Sequence, residues 1–203
     1  MLTDPKSFFT NREKEILYDT EIFPLKRTAT EKLYSIFGNL STALKDTPIH
    51  KQFVFPPGTD TTTGKISKGE NHLGYPYVIL DFPKLFDKEN LFAYRSMFWF
   101  GHYFSFSLLI GGDIMKQYTN HFFKNVESLH SSEIFFSIHQ DPWGHTVKDP
   151  YYVLIDTLKT AQLKQMIFDN NYIKITQRNT LIEPGEIINN GVTNYDRMMR
   201  CLL

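Results

Sequence analysis

Residues 94–110 read YRSMFWFGHYFSFSLLI, and their pattern sets the fold class. Phe104, Phe106, Leu108 and Ile110 alternate with Tyr103, Ser105, Ser107 and Leu109, the two-residue period of a strand with one face in a core. Gly101-His102 suits a two-residue turn that needs positive φ at its first position. Tyr94–Phe100 and Tyr103–Ile110 are therefore expected to pair as an antiparallel hairpin. Its most apolar part, 97–110, has only 14 residues and carries Gly, His and Ser, whereas a bilayer span needs ~20.

Upstream, PYVILDF (76–82) holds three consecutive apolar residues, as in a central strand covered on both faces. HKQFVF (50–55) reads as another strand. Thr10-Asn11-Arg12-Glu13 is a capping box, and Ile22, Leu25, Ala29, Leu33, Phe37, Leu40 and Leu44 form a helical stripe. Pro24 either kinks one helix or opens a second, and two helices, 11–20 and 24–45, are expected. Downstream, Gly111-Gly112-Asp113 ends the hairpin and starts a helix with its stripe at Met115, Tyr118, Phe122, Val126 and Leu129. Strands at 133–139 and 172–177 flank a helix at 155–169, and Thr193-Asn194-Tyr195-Asp196 caps a short terminal helix.

This order predicts an α+β fold: a mainly antiparallel central sheet of five to six strands packed by helices, with an N-terminal helical segment. One domain over 1–203 is expected, divided into a helical segment (11–45) and a sheet-and-helix core (50–203). A chain of 203 residues can bury ~70% of its unfolded surface. With 18 Phe residues it has the aromatic volume for a core.

Lys and Arg number 22 against 22 acids and are interspersed with them, which argues against nucleic-acid binding. The N-terminus shows no signal-peptide pattern, and the single Cys201 excludes an internal disulfide framework. A soluble, cytoplasmic protein with no membrane association is expected.

PPGTDTTTGKISKG (56–69) invites comparison with a phosphate loop. Gly58 and Gly64 are separated by five residues, where G-x-x-x-x-G-K-[ST] has four. Ile66 stands where a hydroxyl would ligate magnesium, and Gly69, Gly74 and Pro76 interrupt the region where a helix should follow. Residues 56–74 are read instead as a mobile flap over the sheet.

IHQDPWGHTV (138–147) is the one constellation with chemistry in it. A three-residue hairpin loop with Gly144 left-handed would bring His139, Asp141 and His145 to one face. Two imidazoles and a carboxylate suit a divalent metal or acid/base catalysis. A two-residue loop would turn His145 away. His139-Gln140-Asp141 also resembles the first half of the facial triad of non-haem iron enzymes. The succession of elements around Leu108-Leu109-Ile110-Gly111-Gly112-Asp113 resembles that of the acyl-CoA N-acetyltransferases, which implies pyrophosphate at a helix N-terminus. Leu108 replaces the Gln or Arg of that family's motif, and Asp113 would repel the anion.

Neither constellation amounts to a catalytic signature. The favoured expectation is a non-catalytic domain that binds a small molecule or a protein through Trp99, His102, Tyr103 and Trp143. The alternative is an enzyme, either metal-dependent through His139, Asp141 and His145 or acyltransferase-like.

Overall fold

The computed structural model describes residues 8–148, 150–180 and 183–203. Among these, seven strands form one sheet: β1 (Lys65–His72), β2 (Tyr75–Phe86), β3 (Leu91–Trp99), β4 (Tyr103–Gly111), β5 (Ile134–Ser137), β6 (Tyr152–Leu154) and β7 (Tyr172–Asn179). Their order is β1-β2-β3-β4-β7-β5-β6, and every neighbouring pair is antiparallel. The helices are α1 (Asn11–Tyr18), α2 (Ile22–Asp46), α3 (Pro48–Gln52), α4 (Asp113–Asn125), α5 (Thr160–Asn170) and α6 (Pro184–Arg200). The α+β class is as expected, with one strand more than the upper end of the expected count. Among the described residues no helix is long and apolar enough to cross a membrane.

The chain divides into two compact units, Met1–Ser35 and Ile36–Leu203. In the first, the capping box at Thr10 is formed: its hydroxyl accepts from Glu13 N at 3.2 Å, and Thr10 N donates to the Glu13 carboxylate at 2.6 Å. Asp19 then accepts from the amides of Glu21 and Ile22. That cap starts α2 at Ile22, so Pro24 falls in the first turn, where it removes no intrahelical bond.

In the second unit, one sheet face carries Phe92, Tyr94, Phe98, Phe104, Phe106 and Leu108, all buried. Phe37 of α2 meets Phe104 edge-on with ring centroids 6.4 Å apart. The Tyr94 hydroxyl donates to Gly191 O of α6 at 2.6 Å. A Cβ at Gly191 would lie 2.7 Å from Leu40 and 3.1 Å from Phe106, so α6 fits this closely only with glycine there.

Several local expectations are corrected. Residues 50–55 are not a strand: Thr47 caps α3 with Pro48 in its first turn, and the chain leaves the helix at Phe53. The expected flap contains β1, an edge strand paired with β2 along Lys65–Gly69. The preceding segment is held by Asp60, which accepts from the Thr62 and Thr63 amides and pairs with Lys84 at 2.5 Å. The hairpin turn spans Trp99–His102, closed by His102 N on Trp99 O, with φ 76° at Gly101; Trp99, not Phe100, faces Tyr103. Residues 155–169 split into a 3₁₀ turn (Ile155–Thr157) and α5, and β6 precedes them. Thr193 lies inside α6, which begins at Pro184.

Candidate functional site

Alternation along the strands gives the second sheet face a different lining. Register pairs Asp81 with Arg95, Arg95 with Ser107 and Ser107 with Thr176, so these side chains share one side. Lys174 and Arg178 follow at two-residue steps along β7. Ile79, Met97 and Trp99 form a small apolar cluster on the same side, flanked by Tyr77 and Tyr103.

Residues 138–148, without regular structure, cross this face as a strap. Side chains of the sheet grip its main chain. Lys174 Nζ donates to Pro142 O at 2.9 Å and to Gly144 O at 2.6 Å, and Tyr152 donates to Gly144 O at 3.0 Å. The Tyr103 hydroxyl accepts from Val147 N at 2.9 Å and donates to His145 O. Arg178 donates to Val147 O, and Tyr172 to His139 O.

Charge beneath the strap is unbalanced. Arg95 and Asp81 form a bidentate pair at 2.7 and 2.9 Å, with side chains only 9% and 4% exposed. Trp143 lies over the Arg95 guanidinium at 5.0 Å. Lys174 is also buried. Burial, and then the Arg95 field, push its ammonium down to about 7, while Asp141 opposes the shift. Burial first, and then the Arg95, Lys174 and His72 charges, push His145 down to about 3, so its imidazole is neutral near pH 7.

At the β3–β4 turn end, on the rim of the sheet, lie two cavities of about 510 Å³ and about 310 Å³ that share three lining residues. Both are lined by His102, Tyr103 and Arg178. The smaller adds Tyr75 and Trp99, and the larger adds Glu133, Gln177 and Asn179. His102 stacks on Trp99 at 3.6 Å with an interplanar angle of 16°, and Tyr75 meets the His102 ring edge-on. Arg178 lies over Phe135 and has no carboxylate partner among the described residues. The Asn179 amide oxygen is buried with no hydrogen-bond partner there.

The sequence candidates are thus redistributed. Trp99, His102 and Tyr103 meet at the cleft, whereas Trp143 covers Arg95 and packs on Phe86. Gly144 closes the Asp141–Gly144 turn through its N–H on Asp141 O, but without positive φ, and no hairpin surrounds it. His139 therefore turns back on its own segment, its Nδ1 accepting from Asp141 N at 2.8 Å, while His145 packs against His72 and Tyr77. The three do not converge, and no three His, Cys, Asp or Glu among the described residues could hold a metal ion.

The acyltransferase-like segment differs in the same way. Gly112 precedes α4 with φ 74°, and a Cβ there would meet Glu89 O at 1.8 Å. The Ile114 amide is taken by Asn90 Oδ1, and Asp113 is paired with Lys116. Thr146, which lines the smaller cavity, forms a hydroxyl–imidazole pair with His72, Oγ1 to Nε2 at 3.0 Å. No carboxylate among the described residues orients His72, and the pair fastens the strap to β1.

Sequence reading missed Arg178, Lys174, Glu133 and the Asp81–Arg95 pair. The alternation of Lys174, Thr176 and Arg178 with Ile173, Ile175 and Gln177 was the available signal. Comparison with known proteins returns no matching family model, no matching curated protein and no matching solved structure.

Proposed function

We propose that the chain is a non-catalytic, cytoplasmic binding domain for a small ligand that combines a flat apolar part with a carboxylate. The observation that carries this reading is Arg178, a guanidinium bordering both cavities, without an acidic partner among the described residues and beside an aromatic wall. A planar fork of donors suits a carboxylate, and the Trp99–His102 stack with Tyr75 suits a ring. The two cavities fall within the usual range for small-molecule sites. A cytoplasmic setting fits the buried, unpaired Cys201.

The test is calorimetric titration of the full chain with 3-phenylpropionate and with its neutral amide. The acid is expected to bind about 10-fold tighter than the amide, the size of one charge-assisted hydrogen-bonded contact. Arg178→Ala should erase the difference. Equal affinities for acid and amide, or no heat from either, would remove the reading.

A further inference from the structure

Glu133 adds a second charge to the larger cavity. The last pair between β5 and β7 is Ile134 with Gln177, so Glu133 and Arg178 are the next residues outward on adjacent strands. Opposite charges in such neighbouring positions ordinarily pair. Both line the cavity, yet no ion pair joins them within 4.0 Å. The backbone accounts for the separation. Glu133 has φ 50° and Ser131 φ 60°, two left-handed non-glycine residues within three, which turn the chain out of register just before β5. One wall thus offers a donor fork, and Glu133 offers an acceptor fit for a cation.

We infer that this cleft selects a free α-amino acid with an aromatic or flat apolar side chain. The ligand carboxylate sits on Arg178, its ammonium on Glu133, and its side chain points toward Tyr75 and the Trp99–His102 stack. The inference rests on the carboxylate reading above and adds the second charge to it. A zwitterion satisfies both charges of the cavity at once, whereas a simple acid brings its carboxylate near Glu133 with no ammonium between them, and that repulsion costs affinity. Solvent-exposed Glu133 has little packing to lose, so its substitution leaves a folded chain to test.

The experiment titrates the full chain with L-phenylalanine, 3-phenylpropionate and 2-phenylethylamine. Phenylalanine is expected to bind at least about 10-fold tighter than either truncated probe. In Glu133→Gln the ratio of phenylalanine to 3-phenylpropionate affinity should fall to about one. If 3-phenylpropionate binds as tightly as phenylalanine to the unaltered chain, the amino-acid assignment fails while the carboxylate site stands. If Glu133→Gln keeps the full preference, the assignment of Glu133 fails. If none of the probes binds, both readings fall together.

Discussion

On its helical face the sheet presents Phe92, Phe98 and Phe106, and on its strapped face Asp81, Arg95 and Lys174, and all six are buried. The first set is held by shape, through contacts such as Phe98 on Phe104 and Phe106 against Gly191. The second is held by satisfied polarity, through the bidentate pair and the two carbonyls that receive Lys174. Burying charge is costly, and an apolar layer of the same volume is often at least as stable. A chain with 18 Phe had apolar alternatives for this face. Under the function proposed above, the helical face serves stability and the strapped face carries the recognition.

The sharpest way to break this contrast is to remove one charge. Asp81→Ala leaves Arg95 buried without its partner and should cost about 3–5 kcal/mol in urea denaturation. Replacing both residues with Leu should recover most of that loss. A single-variant cost below about 1 kcal/mol would mean that the strapped face is as solvated as an ordinary surface.

The next effect depends on pH. Lys174 titrates near 7 when folded, against 10.5 for the free side chain. Between those values the unfolded chain holds a proton that the folded chain has released. Stability should therefore rise as pH increases from about 7 toward 10.5, by up to about 1.4 kcal/mol per unit. Below pH 7 the group adds no slope. Urea midpoints at pH 6, 8 and 9.5 should show the rise in the unaltered chain and its loss in Lys174→Met. An identical rise in both would place the proton elsewhere.

His145 should give the smallest of the three. Its folded value of about 3 lies below the usual 6.5, so the unfolded chain takes up a proton first on acidification. The stability is fully present above pH 6.5 and declines as pH falls toward 3, by about 1–2 kcal/mol between pH 7 and 5. His145→Phe keeps a ring against His72 and Tyr77 and should flatten that decline, as measured by thermal melts at the two pH values.

The hairpin and the 76–82 strand were legible because burial of at least one face imposes a period or a continuous apolar run. β1 was not, since KISKGENH pairs on one edge only and its single large apolar side chain, Ile66, is itself exposed. At residues 47–52 the Thr47-Pro48 cap outweighed the apolar FVF that follows it. In the cleft, Trp99, His102 and Tyr103 announced themselves by flanking a turn. Lys174 and Arg178 did not, because a cation every second residue normally marks a solvent face. What covers that face lies some thirty residues away in sequence, and no local pattern encodes such a meeting. The arrangement of 138–147 hung on one dihedral angle, at Gly144, which composition cannot specify.

The side chains that fasten residues 138–148 to the sheet take hold of carbonyl and amide groups at Pro142, Gly144, His145 and Val147. Such attachments are indifferent to which amino acid supplies the oxygen or the N–H. Substitutions at Lys148 could thus redecorate the mouth of the smaller cavity while the main-chain moorings persist, so a change of preferred ligand need not come with a change of scaffold.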